Sequence, residues 1–314
     1  MRRKKMKKAL IVNTGLRKNV LKRTGVIGTI RKDVELTIIT DQFNLDIFSS
    51  IKKYKIKLYS MNSETFLTLM DKHIWNVLLL SPFTGLSKAF CDRFRSVTGI
   101  SCSLLDIYDE PIPTIPHDYY FEKLGYPVDW IHSIVSRGNR KYLIGINIGE
   151  EEHPTAKPTV DFLVELIKQL QTSINCKIIL FGTEENKLRE QMIINITNSL
   201  SQDLSSMVGN YEAPYMAQAI SLCDSFISFD SFLMHLSLAI KEQTIGIFAN
   251  TSREDTKDQL HLKSIFTRFK GECCPCNKDF CKTLEQSDKL TNCFMEVSVR
   301  EIVDVVKKRL LRWK

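Results

Sequence analysis

Short apolar runs rich in β-branched residues recur along the chain, each followed by a stretch long enough for a helix. In the first half they are Lys8–Asn13 (KALIVN), Glu35–Thr40 (ELTIIT), Ile56–Tyr59, Ile74–Leu80 (IWNVLLL) and Ile100–Leu105. In the second half they are Tyr142–Ile148 (YLIGINI), Lys177–Phe181, Phe226–Phe229 and Thr244–Phe248. A strand apolar on both faces must be covered on both faces, and helical crossovers between parallel strands do that. Helical stretches are predicted near Asn19–Arg31, Leu45–Lys53, Ser63–Lys72, Leu86–Arg95, Pro158–Gln171, Glu185–Leu200, Ala213–Leu222 and Ser231–Ile240. The fold class is therefore α/β, built on parallel sheets with helices on both faces.

The rhythm breaks once. Asp109–Pro116 (DEPIPTIP) has too many prolines for regular structure, and Arg137-Gly138-Asn139 reads as loop. For 314 residues two domains are the natural expectation. They are placed at 1–138 and 139–314, each a Rossmann-like unit, with a last amphipathic helix over Ser298–Leu311 expected to cross back to the first.

The densest local signal is Cys223–Thr251 (CDSFISFDSFLMHLSLAIKEQTIGIFANT), which reads strand, tight turn, helix, strand. Asp230-Ser231 is a helix-capping pair, since both side-chain oxygens can accept from the first backbone N–H groups. A helix that opens at the carboxyl end of a parallel strand also attracts anions, phosphate above all. An ordinary βαβ unit would carry the same pattern.

In wording, this segment resembles the signature of the ADP-heptose:lipopolysaccharide heptosyltransferase family, glycosyltransferase family 9. Asp230-Ser231, Met234-His235-Leu236, Ala239, Thr244–Phe248 and Thr251 match an acidic residue, Ser or Thr, a His-Leu pair, small residues, a strand and a Thr. Phe232 stands where the family has one Gly and Ala249 where it has another, so the chain resembles a divergent member. Asn147–Leu170 is similar to the family's first βα loop, with Pro158 and Phe162 at its spacing, and Leu180–Glu185 to its strand ending in Gly-Gly-Pro-x-Glu. Ser205–Leu222 is similar to a short strand, loop and helix of the same family.

The resemblance implies the GT-B architecture, two Rossmann-like domains facing a central cleft. It implies inverting transfer of a sugar, heptose first, from a nucleotide-sugar donor, with ADP-heptose foremost, to a lipopolysaccharide core or other glycan acceptor. Donor binding would fall on Lys157, Glu185, Asp230, Ser231, His235 and Thr251. A lysine beside a helix start can neutralise a leaving diphosphate, and His235 lies one turn past Ser231 on the same helical face. Ser231→Ala and His235→Ala are expected to weaken nucleotide binding and leave the fold intact. The plainer readings are a solvated lysine for Lys157, a helix-opening glutamate for Glu185 and a half-buried packing histidine for His235.

In the first domain, Asn13–Leu21 resembles the family loop after strand 1, which carries the presumed catalytic acid. Here that position is Lys18, and a charged lysine cannot take the acceptor proton. Asp41, Asp106 and Asp109 are the alternative bases, and Arg17 with Lys18 are candidates for holding an acceptor phosphate. A non-catalytic nucleotide- or glycan-binding subunit is the rival reading.

Five of nine cysteines cluster near the C-terminus, and Cys273, Cys276, Cys281 and Cys293 could form a closed thiolate site for zinc or iron. Reduced thiols in a compact loop are the alternative. Such a site would be structural, and the family resemblance implies no cofactor for the chemistry itself. Cys91, Cys102, Cys176 and Cys223 fall in or beside core elements and read as packing.

The net charge is +8, concentrated at the ends, which suits sugar nucleotides or the phosphates of an inner-membrane leaflet. The basic ends lack interleaved aromatics, so no nucleic acid partner is expected. The opening Met1–Lys8 run precedes too short an apolar stretch for secretion, so a cytoplasmic protein, at most peripheral at the inner membrane, is expected.

Overall fold

The computed structural model describes residues 7–13, 20–21, 34–49, 56–60, 76–80, 101–104, 136–149, 158–197, 203–209, 212–240, 242–249, 262–268 and 296–311. The chain divides into two compact units, Met1–Lys123 and Leu124–Lys314, earlier than the 138/139 boundary read from the sequence.

The first unit holds five parallel strands: β1 (Lys7–Asn13), β2 (Val34–Thr40), β3 (Ile56–Ser60), β4 (Asn76–Leu80) and β5 (Ser101–Leu104). Their order is β3-β2-β1-β4-β5, so the sheet grows outward from β1 in both directions. Leu10, Ile11, Val12, Leu36, Ile38 and Ile39 are buried, as strands covered on both faces require. A 3-10 turn, Gln42–Asn44, and a short helix α1 (Leu45–Ser49) leave the end of β2.

The second unit alternates strictly through β6 (Tyr142–Asn147), α2 (Val160–Ser173), β7 (Cys176–Gly182), α3 (Lys187–Thr197) and β8 (Leu204–Val208). It continues with α4 (Ala213–Ser221), β9 (Ser225–Phe229), α5 (Phe232–Ala239), β10 (Thr244–Phe248), β11 (Leu262–Phe266) and α6 (Val299–Leu311). The six parallel strands run β11-β10-β9-β6-β7-β8.

Two strands lie beyond the periodicity reading. β8 (LSSMV) is anticipated only by the family resemblance, and β11 (LKSIF) not at all. Both are edge strands, where half-exposed serines and a lysine are tolerated and the apolar signal is diluted.

Sequence accounts for the helices locally. In α2, Leu163, Leu166, Ile167 and Leu170 recur at helical spacing and are all buried, while Thr159 Oγ1 accepts from Phe162 N at 2.9 Å as the N-cap. Pro158 therefore sits just ahead of the cap instead of inside the first turn. α6 packs on α2, and Ile302, Val303, Val306 and Leu310 join the same core cluster as Leu163, Ile227 and Ile245. The apolar stripe of the last helix is thus accounted for within the second unit.

α5 is buried on every side, from Phe232 to Ala239, consistent with its nearly uniform apolar sequence. The strand before it leans on a glycine. A Cβ on Gly145 would lie 2.7 Å from Phe226 Cδ2, and the Phe226 ring meets Phe181 edge-on at 5.3 Å. Only a residue without a side chain leaves room for that pair on β6.

Candidate functional site

In the second unit the strand order reverses between β6 and β9, the two neighbours at the middle of the sheet. Crossover connections from these strands leave in opposite directions, which opens a crevice at their carboxyl ends where ligands of doubly wound sheets lie. The residues at that point are Asn147, which ends β6, and Asp230-Ser231, which follow β9.

A buried polar network joins the two strand ends. Asn147 has no solvent exposure, and its Nδ2 donates to Ser228 Oγ at 3.0 Å and to Ser231 Oγ at 2.9 Å. Its Oδ1 accepts from Gly149 N at 3.1 Å, shaping the first turn of the loop after β6, where Gly149 takes φ 110°. Ser228 and Ser231 hydroxyls meet at 3.2 Å. Ser231 Oγ also accepts from Met234 N at 3.3 Å and so caps α5. Arg189 of α3 donates to the Ile148 carbonyl at 2.8 Å, bringing a guanidinium to the same loop.

This revises one expectation. Ser231 is 2% exposed and its hydroxyl is committed to three protein partners, so Ser231→Ala is not a substitution that leaves the fold untouched. Phe232, in the family's Gly position, is buried at the first residue of α5.

Asp230 and His235 form the more accessible pair. His235 Nε2 stands 3.4 Å from Asp230 Oδ1, an ion pair whenever the imidazole is protonated, and the Asp230 side chain keeps 22% of its exposure. The two are five residues apart, with Asp230 just ahead of the N-cap Ser231, so the first turn of α5 carries His235 back to the residue that precedes the helix. Glu185 is exposed in the 3-10 turn Glu184–Asn186 that follows β7, the strand next to β6, and so lies at the same end of the sheet.

In the first unit, Asp41 directly follows β2. Since Val12 pairs with Ile39, Asp41 lies at the end of the sheet from which β1 leads into residues 14–19. Arg17, Lys18, Asp106, Asp109, Lys157, Thr251, Cys273, Cys276, Cys281 and Cys293 lie outside the described residues. Among the described residues no group of three His, Cys, Asp or Glu is arranged to hold a metal ion. Cys176 and Cys223 are buried free thiols, as packing residues should be. Burial pushes the Cys176 thiol up to about 12 and raises Cys223 as well.

Sequence reasoning named Asp230, Ser231, His235 and Glu185 but gave no site role to Asn147, Ser228 or Arg189. Asn147 and Ser228 were legible as polar residues inside apolar strands, YLIGIN and SFISF, where an unpartnered amide or hydroxyl is costly. Arg189 carries no such signal, being one of several charged residues at the start of a helix.

The sequence of residues 158–286 matches the profile of glycosyltransferase family 9 (heptosyltransferase). Over 170 residues the chain is 22% identical to lipooligosaccharide heptosyltransferase 2 of Campylobacter jejuni, a match that covers 54% of this chain and 52% of that protein. The chain spans about half the length of the curated relatives it matches. Among solved structures it is similar to Escherichia coli ADP-heptose LPS heptosyltransferase II, with a TM-score of 0.69 and 13% identity over 97% of this chain and 99% of that one. It is also similar to the dodecameric iron-containing heptosyltransferase TibC, solved in complex with ADP-D-β-D-heptose, with a TM-score of 0.58 and 10% identity over 99% of this chain and 78% of that one. Likeness at this level shows a shared GT-B, α/β fold built from parallel sheets.

Proposed function

We propose that the protein is a divergent member of glycosyltransferase family 9 that transfers a sugar, heptose by its relatives' names, from a nucleotide-sugar donor to a lipopolysaccharide core or another glycan. The observation that carries this reading is the switch point between β6 and β9, where the matched region sets Asp230 and His235 beside a rigid Asn147–Ser228–Ser231 network. A nucleotide diphosphate is the ligand class such a crevice receives.

The donor is ADP-heptose, the sugar nucleotide named for two of the similar structures. In an inverting transfer the acceptor oxygen attacks the anomeric carbon as the bond to the diphosphate oxygen breaks. The acceptor proton passes to a base and ADP departs with the bonding pair. Asp230 and His235 would orient the donor, with Glu185, Lys157 and Thr251 contributing from neighbouring loops. The base is a first-unit carboxylate, Asp41, Asp106 or Asp109, because Lys18 occupies the expected acid position. Arg17 and Lys18 then suit an acceptor phosphate. Work on such an acceptor belongs at the cytoplasmic face of the inner membrane. Cys273, Cys276, Cys281 and Cys293 form a donor set suited to a structural zinc or iron, and an iron-containing relative supports that reading.

Incubation of the full chain with ADP-heptose and lipopolysaccharide core acceptors, with ADP release and heptose incorporation measured together, tests the proposal. His235→Asn should reduce both. Tight ADP-heptose binding with no transfer to any acceptor would overturn the catalytic reading in favour of a binding subunit. Absence of nucleotide binding would overturn both.

A further inference from the structure

A second feature lies at the β11 edge of the same sheet, two strands from β9. The edge strand β11 and the helix α6 border an open groove of about 760 Å³ lined by Lys263, Arg268, Arg300, Lys308 and Arg309, against only two carboxylates, Glu301 and Asp304. Arg268 Nη2 takes Glu301 at 3.0 Å. Among the described residues no carboxylate pairs with Lys263, Arg300, Lys308 or Arg309. Arg309 is half-buried and donates to the Thr244 carbonyl at 3.0 Å, and its burial lowers its affinity for the proton. A guanidinium desolvated without a counter-ion is costly, and an external anion would relieve that cost.

We propose that this groove is a docking surface for the phosphate headgroups of an anionic phospholipid membrane. The cations are strung out and not focused: Arg300 and Lys308 are about 12 Å apart along the helix, too far to share one phosphate. Arg300, Asp304, Lys308 and Leu311 recur at helical spacing on one exposed face of α6. Leu311 is 64% exposed at the end of that stripe. An apolar side chain at the end of a stripe whose two cations flank a single carboxylate suits the boundary between headgroups and acyl chains, and gives nothing to a soluble anion. Separate cations facing a charged leaflet act nearly additively, which gives weak, reversible and salt-sensitive attachment.

The test is co-sedimentation of the full chain with phosphatidylcholine vesicles, with and without about one third phosphatidylglycerol. The full chain should partition onto the anionic vesicles only, and binding should fall as salt rises. Arg300→Ala with Lys308→Ala should weaken that partition about 30-fold while the melting temperature stays that of the parent. Lys168→Ala with Lys187→Ala removes the same charge elsewhere and should have little effect. Pyrophosphate should not displace the protein when ionic strength is held constant. Equal losses in both double variants, binding to neutral vesicles, or displacement by pyrophosphate would each overturn the proposal. The first would leave only net charge, and the last would leave a site for a soluble phosphate. None of these outcomes depends on sugar transfer, so the proposal and the transferase reading fail separately.

Discussion

Replacing Ser231 by alanine removes one oxygen that three groups share. Met234 N loses its cap, a change that costs about 1 kcal/mol at a typical helix start. Asn147 Nδ2 keeps Ser228 at 3.0 Å but loses its second acceptor, leaving a hydrogen unpaired where exposure is nil. An unsatisfied buried donor costs about 1–3 kcal/mol. Alanine is smaller by one oxygen and the site is enclosed, so water is not available to replace it. The sum, about 2–4 kcal/mol, lowers the melting temperature of a unit this size by roughly 5–12 °C. Urea and thermal unfolding of the full chain, followed by circular dichroism, measure it. Asn147→Ala should cost a similar amount, and the double variant should cost less than the two singles added, because each deletion already breaks the shared bond. A midpoint that stays within a degree of the parent, or strict additivity, would refute the argument that this hydroxyl is part of the frame.

Gly145→Ala should destabilise by about 1–3 kcal/mol, since its methyl would press on Phe226 at 2.7 Å, and thermal unfolding reads the loss. Glu242 is held up to about 7, first by burial and then by the nearby Asp224 carboxylate. A carboxyl whose proton is held more tightly in the fold adds stability below its ordinary range, and that stability is lost as pH rises through about 7. Glu242→Gln should therefore raise the melting temperature at about pH 8 and leave it little changed at about pH 4. Cys176 and Cys223, with raised thiols in buried positions, should resist alkylation in the native protein and react once urea unfolds it, which mass spectrometry of tryptic peptides will show. His235→Asn should weaken ADP affinity several-fold in calorimetry with a smaller stability loss than Ser231→Ala, since its contact with Asp230 is a long one at 3.4 Å and asparagine keeps a polar side chain there.

The fold was readable where burial left the residues little choice. β9 and β10 are buried at every position and appear as uninterrupted apolar runs. β8 and β11 escaped because an edge strand is free to carry serine and lysine, and its pattern then resembles loop. Of the candidate site, Asp230 and Ser231 were marked by capping chemistry, and His235 by the family resemblance together with its helical spacing from Ser231, all local properties of the sequence. The Asn147 tie was not, because it joins residues 81 and 84 positions apart and only the strand order brings them together. The role expected of Ser231 changed for the same reason: its sequence neighbours suggest a cap, while the strand beside it claims the oxygen a second time.

That distance along the chain also sets a timetable. β6 sits at the middle of its sheet, yet its partner β9 is made only after α2, β7, α3, β8 and α4 have been laid down. Closing so long a loop is entropically expensive and slows acquisition of native structure. The amide of Asn147 finds its hydroxyls only once that long-range pairing forms, so the crevice cannot be ordered before it. A chain truncated before Ser225 would hold β6, β7 and β8 with no means of assembling the pocket they border.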